Sequence, residues 1–180
     1  MGGRMGVTQE RTVDRSRPSP RWLAFAAVAA AVLAVDQFTK EAVRESLAPG
    51  QGVDTFGAYS IQHFQNPGVA GGGLQGYALP LAVLSTIAVV LLYEFLALRT
   101  RERVSLALGF GLLFGGGLGN LVDRWRLGLV TDFIRNGERA FNLADVAILL
   151  GGTIILAVLI TSLLRSGVEA LLRQPTSRGG

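Results

Sequence analysis

The chain has no cysteine, one lysine and one histidine, and only 17% of its 180 residues are charged. Without cysteine there are no disulfide frameworks, thiolate metal sites or thiol nucleophiles. A single histidine and no H-E-x-x-H pattern leave a zinc site unsupported. Carboxylates, hydroxyls, Lys40 and His63 are what remains for chemistry. The charged share lies below the roughly 25% of an average soluble domain, and the apolar residues are gathered into blocks without helical or strand periodicity. Both features argue against a soluble globular protein. A net charge of +4 does not by itself mean nucleic acid, because the placement of the cations decides its meaning.

Four stretches are long and apolar enough to cross a bilayer, whose roughly 30 Å core takes about 20 helical residues. They are Trp22 to Lys40, Tyr77 to Leu98, Ser105 to Val122 and Leu143 to Leu164. Arginines before an apolar run also suit a secretory signal. Asp36, Gln37 and Lys40 stand where its small-residue cleavage site belongs, however, and three more spans follow. An even number of spans puts both termini on one side. Arg4, Arg11, Arg15, Arg17 and Arg21 precede the first span, Arg99, Arg101 and Arg103 link the second to the third, and Arg165, Arg173 and Arg178 follow the fourth. These are 11 of the 17 cations, so the excess of Lys and Arg on the inner side predicts cytoplasmic termini. The basic balance is then a topology signal, and no nucleic-acid partner is expected. The expected organisation is a disordered cytoplasmic tail over 1–21, a four-helix transmembrane domain over 22–164 and a cytoplasmic tail over 165–180. No internal repeat is found.

Two loops remain outside, carrying Lys40, Arg44, Arg124, Arg126, Arg135 and Arg139. The longer, Glu41 to Gly76, holds FGAYSIQHF, which suits short strands, and ends in the flexible Gly71 to Gly73. The second, Asp123 to Asn142, contains LGLVTDFI, with Gly128 and Gly137 as its bounds, and suits a segment dipping back against the helix ends. The fold class is therefore an all-α membrane protein, four transmembrane helices with a small β-rich extracytoplasmic loop region.

Ionisable groups near hydrocarbon are expensive and mark function by default. Asp36 ends the first span, Asn120 and Asp123 end the third, Asn142 and Asp145 begin the fourth, and Asp132 lies between the last two. The topology gathers all of them at one membrane face. Asn120, Asp123 and Arg124 share a helical face by their i, i+3, i+4 spacing. Asn142 and Asp145 also suit a helix cap, with Asn accepting free N–H groups and Asp favouring the dipole. Two carboxylates close together in a low-dielectric site cannot both ionise easily, so one keeps a proton while the other stays a base. Such a pair activates water against an amide carbonyl and protonates its oxygen without a metal or cofactor.

Other arrangements fit less well. Lys40 follows an apolar helix as a snorkelling anchor does, which leaves a Ser/Lys hydrolase without support. Ser60 and His63 have no acid partner, and His63 reads as exposed or packed in its loop. Glu94, near the inner end of the second span, reads as a snorkelling residue close to Arg99 and Arg101. Gly111, Gly115 and Gly119 form overlapping small-xxx-small patterns for close helix packing, within the chain or between chains. Pro80 suits the start or a kink of the second span, and Trp22 and Trp125 suit interface anchors.

Five blocks in order, DQFTK from Asp36, NPGVA from Asn66, GGGLGNLVDR from Gly115, VTDFI from Val130 and FNLAD from Phe141, resemble the bacterial lipoprotein signal peptidases, or signal peptidase II. The resemblance spans roughly 36–145. It implies a four-span aspartyl endopeptidase of the bacterial cytoplasmic (inner) membrane that cleaves prolipoproteins before a diacylglyceryl-modified cysteine. It puts the catalytic pair on Asp132 and Asp145. Support and substrate binding fall on Asp36, Lys40, Asn66, Gly68, Asn120, Asp123, Arg124, Asn142 and Ala144. It also implies inhibition by globomycin-like cyclic peptides and lateral entry of a lipidated substrate from the outer leaflet, with membrane lipid around its acyl chains. After Gly68 the family usually continues to Phe and Ser, where this chain has Val69, Ala70 and Gly71 to Gly73; a more mobile lid is expected there. Two competing classes are a proton-coupled transporter, which lacks a continuous polar path to the inner face, and a non-catalytic assembly module, which leaves the paired acids unexplained.

Overall fold

The protein is described from a computed structural model over residues 20–68, 73–99 and 104–172. The N-terminal tail before Pro20, the four residues 69–72 where the mobile lid is expected, and the arginines at 101 and 103 lie outside the described residues.

Four helices carry the fold: α1 (Pro20–Ser46), α2 (Ala78–Arg99), α3 (Val104–Leu127) and α4 (Leu143–Leu172). Each has a window long and apolar enough to cross a bilayer. Three run well past the ends expected from hydropathy. α1 continues from Lys40 to Ser46, because hydropathy marks where hydrocarbon ends and hydrogen bonding marks where a helix ends. α4 continues through 165–172, so that part of the expected C-terminal tail is helical. Pro80 sits in the first turn of α2, where its missing N–H breaks no helical bond, after a 3₁₀ turn at Gln75–Tyr77.

α3 is the central helix, packing against α1, α2 and α4. Its glycines explain how. A Cβ at Gly111 would come 2.9 Å from the Phe25 carbonyl, and one at Gly115 would come 2.7 Å from that of Ala29. At Gly119 it would strike the Asp36 carboxylate. The small-xxx-small seam therefore receives α1 within the chain. A second glycine face receives α4: a Cβ at Gly116 would lie 2.5 Å from the Ala144 carbonyl, and one at Gly109 would lie 2.9 Å from Ile155. Toward the other end, Phe25, Tyr93, Leu106, Phe110 and Ile155 form the buried apolar core. Trp22 packs edge-on to Phe25 and Tyr93, so it belongs to this aromatic cluster instead of standing alone as an anchor. Trp125 is 77% exposed, as an interface anchor requires.

The loop between α1 and α2 and the loop between α3 and α4 build one antiparallel sheet in the order β1 (Gly52–Phe56), β2 (Tyr59–Asn66), β3 (Val130–Asn136) and β4 (Arg139–Phe141). The segment expected to dip back against the helix ends is instead β3. It pairs with β2, placing Phe64 opposite Asp132 and Asn66 opposite Val130. A register shift between Ile61 and Phe64 interrupts the ladder at His63. The His63 ring is buried, with Nδ1 2.8 Å from the Leu47 carbonyl, and so packs its loop. The two hairpins turn at Gly57 and Gly137, both at positive φ.

Candidate active site

α1, α3, β3 and the start of α4 meet at one end of the bundle, and every site residue expected from the sequence lies there. Asn142 ends the β3–β4 hairpin and begins α4. Its Oδ1 accepts the Asp145 N–H at 3.0 Å, and Asp145 Oδ2 accepts the Asn142 N–H at 3.2 Å. This reciprocal cap satisfies free donors of the helix end. The same Asn142 donates Nδ2–H to Asp132 Oδ1 at 2.7 Å. Capping and site roles, alternatives in the sequence, are one residue's two ends.

Asn120 holds the other side of Asp145, donating to Oδ1 at 2.8 Å, while its own Oδ1 accepts from Asn142 at 3.1 Å and from Lys40 at 2.9 Å. Asn66 donates to Asp132 Oδ2 at 3.0 Å and accepts from the Gly68 N–H at 3.1 Å. Arg124 donates to the Gly68 carbonyl at 2.9 Å, joining the end of β2 to α3. Its Nε is buried without a partner. Asp132 and Asp145 are thus bridged by one asparagine and each is held by a second. Asp132, only 1% exposed, has its carboxyl pushed up to about 6 by burial, with the Asp145 charge adding to the rise and Asn66 and Asn142 opposing it.

The remaining acids do something else. Asp36 Oδ1 accepts the Ala144 N–H at 2.9 Å, a further free amide of the α4 N-terminus. Asp36 Oδ2 lies 2.8 Å from Lys40 Nζ, which is also 3.4 Å from Asp123 Oδ2. Asp123 in turn accepts the Thr131 N–H at 3.0 Å. Lys40 is completely buried in this network. That corrects the snorkelling reading: the chain's lysine turns inward because two carboxylates and an amide oxygen replace its water. Glu94 is exposed on α2, away from the cluster.

Gln37, Arg44 and Thr131 also belong to the network; Gln37 and Thr131 stand within the DQFTK and VTDFI blocks, and Arg44 lies outside all five. Gln37 donates to the Gly119 carbonyl at 3.0 Å and sits 3.2 and 3.3 Å from Asp36 and Asp123. Arg44 was legible only as the continuation of the Asp36 and Lys40 face by i+4 steps. For Gly119→Ala, whose new methyl would meet the Asp36 carboxylate, we expect a loss of about 1–3 kcal/mol from overpacking together with reduced activity. A thermal midpoint equal to wild type in detergent would contradict it.

A groove of about 260 Å³ opens beside the carboxylates. Asp145, Asn120 and Arg124 form its polar end, and Leu81, Ala82, Val89, Leu113, Phe114 and Ile148 supply apolar wall. Asp145 lines the groove, and Asp132 is joined to Asp145 through Asn142. Among the described residues, no group of three His, Cys, Asp or Glu is placed to hold a metal ion.

A family model described as signal peptidase (SPase) II matches residues 28–161. A lipoprotein signal peptidase of Moorella thermoacetica is 35% identical over 136 residues, covering 73% of this chain and 89% of the relative. One of Pelotomaculum thermopropionicum is 37% identical over 131 residues, covering 71% and 86%. A solved bacterial membrane enzyme, determined by the in meso method at 2.3 Å resolution, aligns with a TM-score of 0.69 and 26% identity over 76% of this chain and 87% of that one. Four membrane-length helices and these likenesses define a multi-pass membrane protease. The chain belongs to the signal peptidase II family.

Proposed function

We propose that this protease removes signal peptides from prolipoproteins, cleaving before the diacylglyceryl-modified cysteine, with Asp132 and Asp145 as the catalytic pair. The observation that carries the reading is the asparagine-bridged pair, of which Asp145 lines the polar end of an apolar groove. A water between the carboxyls attacks the scissile carbonyl carbon and gives its proton to the ionised acid. The protonated acid delivers its own proton to the carbonyl oxygen. As the intermediate collapses, the C–N bond breaks, the leaving nitrogen takes a proton from one acid, and a hydroxyl of the intermediate returns its proton to the other as the new carboxyl forms, which restores the single shared proton. The Asn residues hold both acids in place, and the unpartnered Arg124 Nε is a donor for a substrate carbonyl. The apolar wall suits a signal-peptide helix and leaves the acyl chains in lipid. Globomycin-like cyclic peptides would compete for the same groove.

Purified protein is expected to cut a diacylglyceryl-modified prolipoprotein, to leave the unmodified precursor intact and to keep its activity in chelator. Equal cleavage of both precursors would sink the specificity. The orientation follows from the arginine bias: both termini in the cytoplasm of a bacterial inner membrane, with the carboxylates near the outer face. Glu102→Cys should then react with a membrane-impermeant thiol reagent from the cytoplasmic side only. Labelling from outside would invert the topology.

A further inference from the structure

α1 continues beyond Lys40 to Ser46, and the reason for the extra length lies at Arg44. Asp36, Lys40 and Arg44 follow one another at four-residue steps, so they share the face turned toward Asp123 and β3. The Arg44 side chain is 15% exposed. Its Nη1 donates to Thr131 Oγ1 at 2.9 Å and lies 3.6 Å from Asp123 Oδ1, while Nη2 bonds Glu41 Oε2 at 2.6 Å. Glu41 aims the guanidinium from the solvent side and Asp123 from the buried side. The fork is thereby fixed on the threonine hydroxyl.

Thr131 is completely buried and is held at three atoms. Its hydroxyl accepts from Arg44, its N–H donates to Asp123 Oδ2 at 3.0 Å, and its carbonyl is 3.5 Å from Asn142 Nδ2. The peptide bond after that carbonyl belongs to Asp132. Asn142 Nδ2 lies between the Thr131 carbonyl and the Asp132 carboxylate, so any slip of β3 along its axis disturbs the bridge between the two acids. Pairing with β2 holds only one edge of this segment, since β4 begins opposite Ile134. Beside the Asp123 bond to the Thr131 N–H, the Arg44–Thr131 bond is a side-chain hold on this stretch of the strand.

We infer that Arg44 is a positioning residue for Asp132, acting through Thr131 Oγ1. This rests on the reading of Asp132 and Asp145 as the catalytic pair, and the residue itself touches neither acid. Val is nearly the same shape as Thr without the acceptor, and Ser keeps the acceptor but loses the methyl. Thr131→Val should therefore lower kcat roughly tenfold, the effect of losing a charge-assisted hydrogen bond, with KM changed less than about twofold. Thr131→Ser should recover most of that loss. Arg44→Ala should resemble Thr131→Val, and the double variant should be little worse than either, because both remove the same bond.

Hydrogen exchange of the 130–133 amides supplies a readout independent of turnover, and should quicken in Thr131→Val and Arg44→Ala but not in Thr131→Ser. If Ser proves worse than Val, the site needs the methyl and the inference is overturned. Unchanged kcat in Thr131→Val would overturn it as well. A wild-type protein that cleaves no prolipoprotein would defeat the functional reading, and the exchange pattern would still decide whether Arg44 anchors β3.

Discussion

Asp132→Asn and Asp145→Asn are each expected to lower prolipoprotein cleavage by at least the roughly 10²- to 10⁴-fold that a positioned acid or base contributes. Either Asn keeps the size of the side chain and removes its ability to exchange a proton. Wild-type cleavage in either variant would end the two-carboxylate mechanism. The pair needs one proton between its members. With the Asp132 carboxyl pushed up to about 6, that proton is lost as pH rises through about 6, so kcat/KM should fall on the alkaline side with a midpoint close to that value. Stability carries the same signature. A carboxyl whose folded pKa lies above its unfolded value of 3.8 loses its stabilising contribution between about pH 4 and 6, by at most about 3 kcal/mol. The thermal midpoint of Asp132→Asn should therefore gain on wild type as pH rises across that window. A constant difference would show that folding does not raise this carboxyl.

Lys40→Met is expected to be the most destabilising single change at the site. Lys40 is completely buried, 2.8 Å from Asp36 and 3.4 Å from Asp123. Removing one partner from a buried ion pair costs about 3–5 kcal/mol, because the remaining charge has neither water nor counter-ion. For a chain of this size that corresponds to a thermal midpoint lower by roughly 10 °C. Cleavage should fall too, since Asn120 Oδ1 loses one of the two donors that set the amide's orientation toward Asp145. Adding Asp36→Asn should restore part of the stability by neutralising the carboxylate left without its cation, whereas Asp123 keeps Arg44 at 3.6 Å. A midpoint within a degree or two of wild type for Lys40→Met would mean that water reaches the cluster.

Much of this architecture is legible one residue at a time. The four spans follow from continuous apolar runs, because a bilayer of fixed thickness demands a fixed length of helix. The glycine seam follows from its spacing, and the arginines predict the orientation. Sheet pairing is different. The FGAYSIQHF stretch can be read as strands, but nothing local tells β2 that its partner is β3, from the loop on the far side of two membrane helices. Local pattern suggested a dipping segment for β3 because its apolar residues match either a strand edge or a re-entrant turn.

Composition and order alone determine that this chain is a membrane protein, that its polar residues collect at one end, and which five blocks it shares with the signal peptidase II family. Covalent order and hydropathy are one-dimensional properties, and those conclusions need no more. Apart from the resemblance, nothing in local pattern distinguishes the four aspartates that gather at one end of the bundle. Folding separates them by what each is given as a neighbour: Asp36 and Asp123 receive the buried Lys40 and the end of a helix or strand, while among the described residues the hydrogen-bond partners of the Asp132 and Asp145 carboxyls are neutral amides. A carboxylate's work depends on the charges and donors within a few ångströms of it, and that distance is set by tertiary structure.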